Sequence, residues 1–218
     1  MIKILSFLLI FPCMVFGGDI SGTIKIMKKD GKKEEKSFEN AVVYISGIET
    51  KPDGTVYKVI QEGQKFIPRV LPIVKGSEVE FKNLDTFSHN VFSSDPKKTF
   101  DLGKSAPKTS DKVKFDEAIE GLKIYCNIHQ TMVCDILVLE NKYFATTNEK
   151  GEFTIKDVPE GKYKIKVWHI YGGTIEQEIE VKKEAITQDL TVTSTKVVRE
   201  LTEHKNKEGK EYPRENKY

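Results

Sequence analysis

A chain of 218 residues has room for one large all-β domain or two small ones, and a 38% hydrophobic fraction is enough for a packed core, which argues against wholesale disorder. Lys+Arg 35 against Asp+Glu 33 nearly cancel, so charge gives no case for nucleic acid, whose phosphates need a clustered basic surface. Helix signals are scarce, while Val, Ile, Thr, Tyr and Phe recur in short alternating runs between Gly, Pro, Asp and Asn, a β-sandwich pattern.

The N-terminus carries an export signature. Lys3 supplies a positive start, Ile4 to Phe16 an apolar run, and Gly17 and Gly18 small residues for cleavage. That run is shorter than the roughly 20 residues of a membrane-spanning helix. Cys13 follows Pro12, where a lipid anchor would want a small residue. The expectation is a signal peptide over 1–18, no membrane span, and a periplasmic or otherwise extracytoplasmic mature protein.

Ile20–Met27 alternates as a half-buried strand does, and Lys28–Lys36 reads as a solvated loop. Ala41–Ile45 is the next strand, and after a turn at Pro52-Asp53-Gly54 comes Val56–Ile60. Phe66–Val74 contains Pro68 and Pro72, which confines it to an edge or an irregular segment. Glu78–Phe81 is a clean strand ending at Asn83-Leu84-Asp85. Lys97–Asp111 lacks periodicity and is expected to be a surface loop. Val113–Phe115, Leu122–Tyr125 and Ile136–Leu139 follow as strands, then Phe153–Ile155, Tyr163–Trp168, Thr174–Val181 and Leu190–Val192. Residues 196–218 are expected to form a poorly ordered tail, having too little apolar surface to offset ordering entropy.

Chemistry concentrates in one short stretch. Cys126-Asn127-Ile128-His129-Gln130-Thr131-Met132 places a thiolate, an imidazole and a thioether in one loop, and Ser88-His89-Asn90 follows a strand and turn upstream. Two His, one Cys and a weak axial Met are the donor set of blue-copper electron-transfer centres. Soft sulfur suits Cu(I), imidazole also suits Cu(II), and strands on both sides would hold the loop. Asn90 is placed to hydrogen-bond across and steady that loop. Other readings remain open. Cys126 and Cys134 could pair as a disulfide in an oxidising compartment. A zinc site could use the same Cys and His, although zinc prefers carboxylate to thioether. A Cys–His nucleophile pair lacks any evident orienting group. Cys134 otherwise reads as a small buried hydrophobe.

Val79–Asn83, His89-Asn90-Val91 and Tyr125–Met132, with two residues between Cys and His and two between His and Met, resemble the cupredoxins, the amicyanin-like members most closely. The resemblance covers roughly 56–140. It implies a Greek-key β-sandwich holding one copper ion, Cu(I)/Cu(II), through His89, Cys126, His129 and Met132. Cys134 departs from that pattern, as does the shortness of the region before His89.

A second resemblance lies outside that stretch. The Asn148-x-x-Gly151-x-Phe153 turn and Val158-Pro159-x-Gly161-x-Tyr163 are similar to the carboxypeptidase regulatory-like (transthyretin-like) sandwich, whose opening half looks like Ser21-Gly22-Thr23-Ile24 and Asn40–Tyr44. The expected layout is all-β. A cupredoxin domain over 56–140 is nested in a discontinuous transthyretin-like domain over 19–55 and 141–195, with a tail over 196–218. The whole resembles proteins of methylamine-utilisation type. That implies a periplasmic copper protein. The donor set suits a non-enzymatic carrier that passes single electrons between transient redox protein partners, with copper capture or delivery, or a binding role led by the second sandwich, as competing functions. His169, beside Trp168, is more a packing residue than a functional one.

Overall fold

The computed structural model describes residues 17–196 and 205–212. Of the expected signal peptide, residues 1–16 lie outside the described residues, whereas Gly17 and Gly18 open the first strand. The chain is all-β: among the described residues there are seventeen strands and no helix. None of the described residues forms a helix long and apolar enough to cross a membrane.

The middle of the chain builds two sheets around one core. One sheet orders β4 (Lys65–Ile67), β3 (Val56–Glu62), β6 (Ser77–Asn83) and β9 (Ser110–Phe115). The other orders β5 (Val70–Val74), β11 (Val133–Leu139), β10 (Ile119–Tyr125), β7 (His89–Ser93) and β8 (Phe100–Ser105). Between them Val79, Phe81, Phe115, Leu122, Ile124 and Ile136 form a continuous apolar core. Alternation explains the placement. In β6, Val79 and Phe81 point inward while Glu80 and Lys82 face the other way. Each fully buried Val, Leu, Ile or Phe contributes about 1.5–3 kcal/mol to folding.

The two ends of the chain meet in two further sheets. β1 (Gly17–Met27) lies antiparallel to β13 (Glu152–Pro159) and parallel to β16 (Ile186–Thr187) and β17 (Leu190–Thr193). The facing sheet orders β12 (Phe144–Thr146), β2 (Val42–Ser46), β14 (Gly161–Trp168) and β15 (Thr174–Val181). Ile20, Ile24, Val43, Ile45, Ile155, Ile165 and Val167 fill the space between them.

Two strands buried on both faces, β2 and β11, join the two cores. In β2, Val43 and Ile45 enter the second core while Val42 and Tyr44 turn the other way. In β11, Cys134, Ile136 and Val138 enter the first core while Leu137 and Leu139 turn outward to meet Val42 and Tyr44. Trp168 packs there too, close over Gly121, whose φ of 73° and lack of Cβ allow the approach. Asp135, on β11, is a buried carboxylate held by Arg69 and by Lys123 Nζ at 2.7 Å. Breaking such a pair leaves an uncompensated buried charge, at about 3–5 kcal/mol.

The sequence expectations need correction in two places. Lys97–Asp111 is not a surface loop: it contains β8 and the start of β9. β8 is an edge strand pairing with β7 alone, so its exposed positions carry Asp and Lys and hide its period. Gly103, at a φ of 70°, sits opposite the register shift between Asn90 and Phe92. The expected tail over 196–218 is also ordered in part, because residues 205–212 form a turn whose Tyr212 is buried against the ligand loop. Phe66–Val74 does supply two edge strands, β4 and β5, at the ends of their sheets.

Candidate metal centre

The centre is assembled where β6 and β10 end and β7 begins. At the close of β6, fully buried Asn83 organises the turn that follows. Its Nδ2 donates to the carbonyls of Phe87 (2.9 Å) and Ser105 (3.0 Å), and its Oδ1 accepts the amide of Asp85 (3.0 Å). Such an Asx turn satisfies the backbone locally as the strand ends. It delivers Asp85 beneath His89, the first residue of β7.

His89 is fully buried and oriented at both nitrogens. Its Nε2 lies 2.7 Å from Asp85 Oδ2, and its Nδ1 lies 3.1 Å from Nδ1 of His129. Donation from Nε2–H to the carboxylate leaves a lone pair on the Nδ1 that faces His129. Burial pushes the Asp85 carboxyl up, but the amides of Gly63 and Gln64 and the imidazole together hold it below the usual carboxylate range. Asp85 therefore stays charged under the ring.

Cys126 ends the run that follows β10, and Met132 precedes β11. The loop between them is closed by two backbone bonds, Cys126 N–H to Met132 O (3.2 Å) and Met132 N–H to His129 O (3.1 Å). This closure tips His129 over the thiol, with Cys126 Sγ 3.8 Å from His129 Nδ1. The amide of Ile128 points at the same sulfur, 3.4 Å away. From the neighbouring strand, Asn90 Oδ1 accepts the Asn127 amide at 3.3 Å, tying the loop to β7.

The structure brings three of the four sequence candidates together. One donor atom each from His89, Cys126 and His129 falls within 4.8 Å of the others. Donors bound to one ion at about 2.0–2.3 Å stand roughly 3–4 Å apart, so the separations of 3.1 and 3.8 Å fit a shared ion. Met132 is fully buried in the same core as Cys126 and completes the loop through its backbone. His89 and Cys126 are buried, His129 is half-buried, and Ile128 and Phe87 are exposed beside it. The Phe87 ring packs edge-on against both imidazoles.

Two residues that serve this centre escaped the sequence reading: Asn83 and Asp85. The signal was present as an Asn-x-Asp pair at a strand end four residues before a His. It resembled any surface turn.

Among the described residues, the remaining cysteine and histidine lie elsewhere. Cys126 and Cys134 are both free thiols, so the disulfide alternative does not hold. Cys134 points into the apolar core, where burial raises its pKa. His169 is buried and satisfied, with Nε2 3.2 Å from the Glu39 carbonyl and Nδ1 accepting the Tyr171 amide at 3.3 Å. It is a packing residue.

Residues 137–196 match a family model described as polysaccharide lyase family 4, domain II. That span takes in the 141–195 segment compared above with a transthyretin-like sandwich. No curated protein matches the chain. Solved structures similar to part of it include a copper-containing nitrite reductase from Thermus scotoductus SA-01, at 27% identity and a TM-score of 0.38. That match covers 43% of this chain and 24% of the reductase, so the chain spans only about a quarter of that protein. A purple cupredoxin from Nitrosopumilus maritimus matches at 23% identity and a TM-score of 0.34, over 38% of this chain and 99% of its own. An oxidised amicyanin mutant matches at 16% identity and a TM-score of 0.37, over 44% of this chain and 98% of its own.

Proposed function

We propose that this protein holds one copper ion through His89, Cys126, His129 and Met132 and passes single electrons between transient redox protein partners outside the cytoplasm, without catalysing a reaction of its own. The observation that carries this reading is the convergence of two imidazole Nδ1 atoms 3.1 Å apart on a buried cysteine sulfur. Two imidazoles and a thiolate, with a thioether in the same loop, match copper better than zinc, which favours carboxylate in that position. Copper, when bound, supplies a one-electron couple between Cu(I) and Cu(II).

The chain's own residues do the rest. Asp85 fixes the tautomer and the angle of His89, so little moves when the charge at the centre changes. The Ile128 amide donates to the Cys126 sulfur and helps hold it in place. Burial of His89 and Cys126 keeps water from the donors, while half-buried His129, flanked by exposed Ile128 and Phe87, offers an edge through which an electron can leave. Apolar contact of this kind suits brief docking.

The copper unit spans 56–140 in this reading, nested between the halves 19–55 and 141–195 of a second sandwich of transthyretin-like type. Pairing of β1 with β13, β16 and β17, and of β2 with β12 and β14, supports the nesting. The visible spectrum of purified, copper-loaded protein tests the reading. An intense thiolate-to-copper charge-transfer band is expected, and its absence with Cys126 intact and reduced would overturn the assignment. Copper capture and delivery would use the same ligands, and slow electron self-exchange with fast loss of copper to a chelator would favour it.

A further inference from the structure

We propose that residues 205–212 form a strap that locks the ligand loop, with Tyr212 as a positioning residue for Cys126, so that the bound ion is retained rather than exchanged. The strap deepens the copper assignment above and rests on it.

The segment is a built turn. Asn206 Oδ1 accepts the amides of Glu208 (3.1 Å) and Lys210 (2.8 Å), the Asn206 amide donates to the Lys210 carbonyl (2.9 Å), and the Gly209 amide donates to the Asn206 carbonyl (2.9 Å). Gly209 supplies the left-handed backbone, at a φ of 73°. The same Asn-x-x-Gly-x arrangement joins β12 to β13, where Asn148 Oδ1 accepts the amides of Lys150 and Glu152 and Gly151 donates to the Asn148 carbonyl. A turn that satisfies itself locally loses little on docking elsewhere.

What the turn presents closes a circuit around the loop. The Asn127 amide donates to Asn90 Oδ1 (3.3 Å), and Asn90 Nδ2 donates to Asp101 Oδ1 (2.7 Å). Lys207 Nζ donates to the second oxygen of Asp101 (2.8 Å), and the Lys207 amide returns to Asn127 Oδ1 (2.9 Å). Four residues from β7, β8, the ligand loop and the strap thus share one ring of hydrogen bonds. Independently, the Tyr212 hydroxyl donates to the Cys126 carbonyl at 2.6 Å, with the residue only 9% exposed.

That carbonyl matters because it belongs to the peptide joining Cys126 to Asn127. Rotation of this peptide would move the Ile128 amide relative to the sulfur it faces. Tyr212 and the Asn127 ring hold the two sides of the peptide. An ion leaves past a loop only as often as the loop opens, and the strap makes opening rarer.

Three proteins test this: the full chain, a chain ending at His204, and full-length Tyr212→Phe. Each is loaded with copper, and loss of the ion to a strong Cu(I) chelator is timed alongside the thiolate-to-copper band and the reduction potential. The chain ending at His204 is expected to lose copper about tenfold faster or more, the range seen when groups supporting a metal ligand are removed. Tyr212→Phe is expected to lose it about fivefold faster, the factor one hydrogen bond is worth. Its band and potential should shift while its metal-free melting temperature does not. Equal release rates and superimposable spectra in all three would overturn the strap and leave the copper assignment standing. If the full chain shows no thiolate band, that assignment falls separately. Amide hydrogen exchange of residues 126–132 in metal-free protein then decides the strap, with faster exchange in the chain ending at His204 supporting it and equal exchange sinking it.

Discussion

Asp85 Oδ2 sits 2.7 Å from His89 Nε2, across the ring from the nitrogen that faces His129. The carboxylate makes His89 a stronger donor and fixes its tautomer. Asp85→Asn should therefore weaken copper binding by about 10–100-fold and raise the reduction potential, because a poorer donor stabilises Cu(II) less. Competition against a chelator of known affinity, with voltammetry, checks both. An unchanged affinity would mean that Asp85 serves the turn and not the ligand.

The two thiols should separate cleanly by substitution. Cys126→Ser is expected to abolish the charge-transfer band, since a hydroxyl is a poor ligand for copper. Cys134→Ser should keep the band and lower stability by about 1–3 kcal/mol, because it places a hydroxyl in an apolar core. Optical spectra and urea unfolding of the two variants measure this.

Acid should destabilise the protein through His169. Burial lowers its pKa first and foremost, to about 4 from an ordinary 6.5, against the opposing pull of the Glu39 carbonyl. The ring is neutral, and a proton on Nδ1 would displace the Tyr171 amide. Because the folded pKa lies below the unfolded one, this contribution is whole above about pH 6.5 and shrinks as pH falls toward 4. The loss by pH 4 is roughly 2–3 kcal/mol. Urea unfolding across that range should show a flatter profile in His169→Gln.

Electron exit through His129 predicts sensitivity at its exposed neighbour. Ile128→Lys places a charge on the apolar rim, so two copies approaching face to face would repel. Self-exchange, followed by line broadening in mixtures of reduced and oxidised protein, should slow by about tenfold at low salt. The absorption band should be untouched. A rate independent of this charge would place the exit elsewhere.

Nesting of the two sandwiches can be tested by one cut. Residues 51–55 are exposed between β2 and β3, whereas Asn141, where the chain re-enters the second sandwich, is buried and bonded to the carbonyls of Ile45 and Ile48. A protease site inserted in 51–55 should yield two fragments that stay together through gel filtration. Separation without denaturant would contradict the nested division.

Much of this molecule was legible in its residues. Strand identity followed from alternation wherever one face is apolar, as in Ile20–Met27 and Glu78–Phe81, which lie within β1 and β6. The Cys126–Met132 loop stood out because thiol, imidazole and thioether are neighbours in the chain. β8 was not, since its alternation is broken at Gly103, opposite the register shift between Asn90 and Phe92. Asp85 was hidden because its role depends on which way a turn aims one carboxylate.

The chain alone determined an all-β architecture and the chemical character of the candidate donors, since period-two patterning and the softness of sulfur and imidazole are properties of residues in order. Tertiary structure decided how far apart His89 and His129 stand, which face of β11 meets Val42 and Tyr44 of β2, and that Tyr212 reaches Cys126 across 86 positions. Those outcomes depend on distances between segments remote in sequence, which only the packing of the sheets sets.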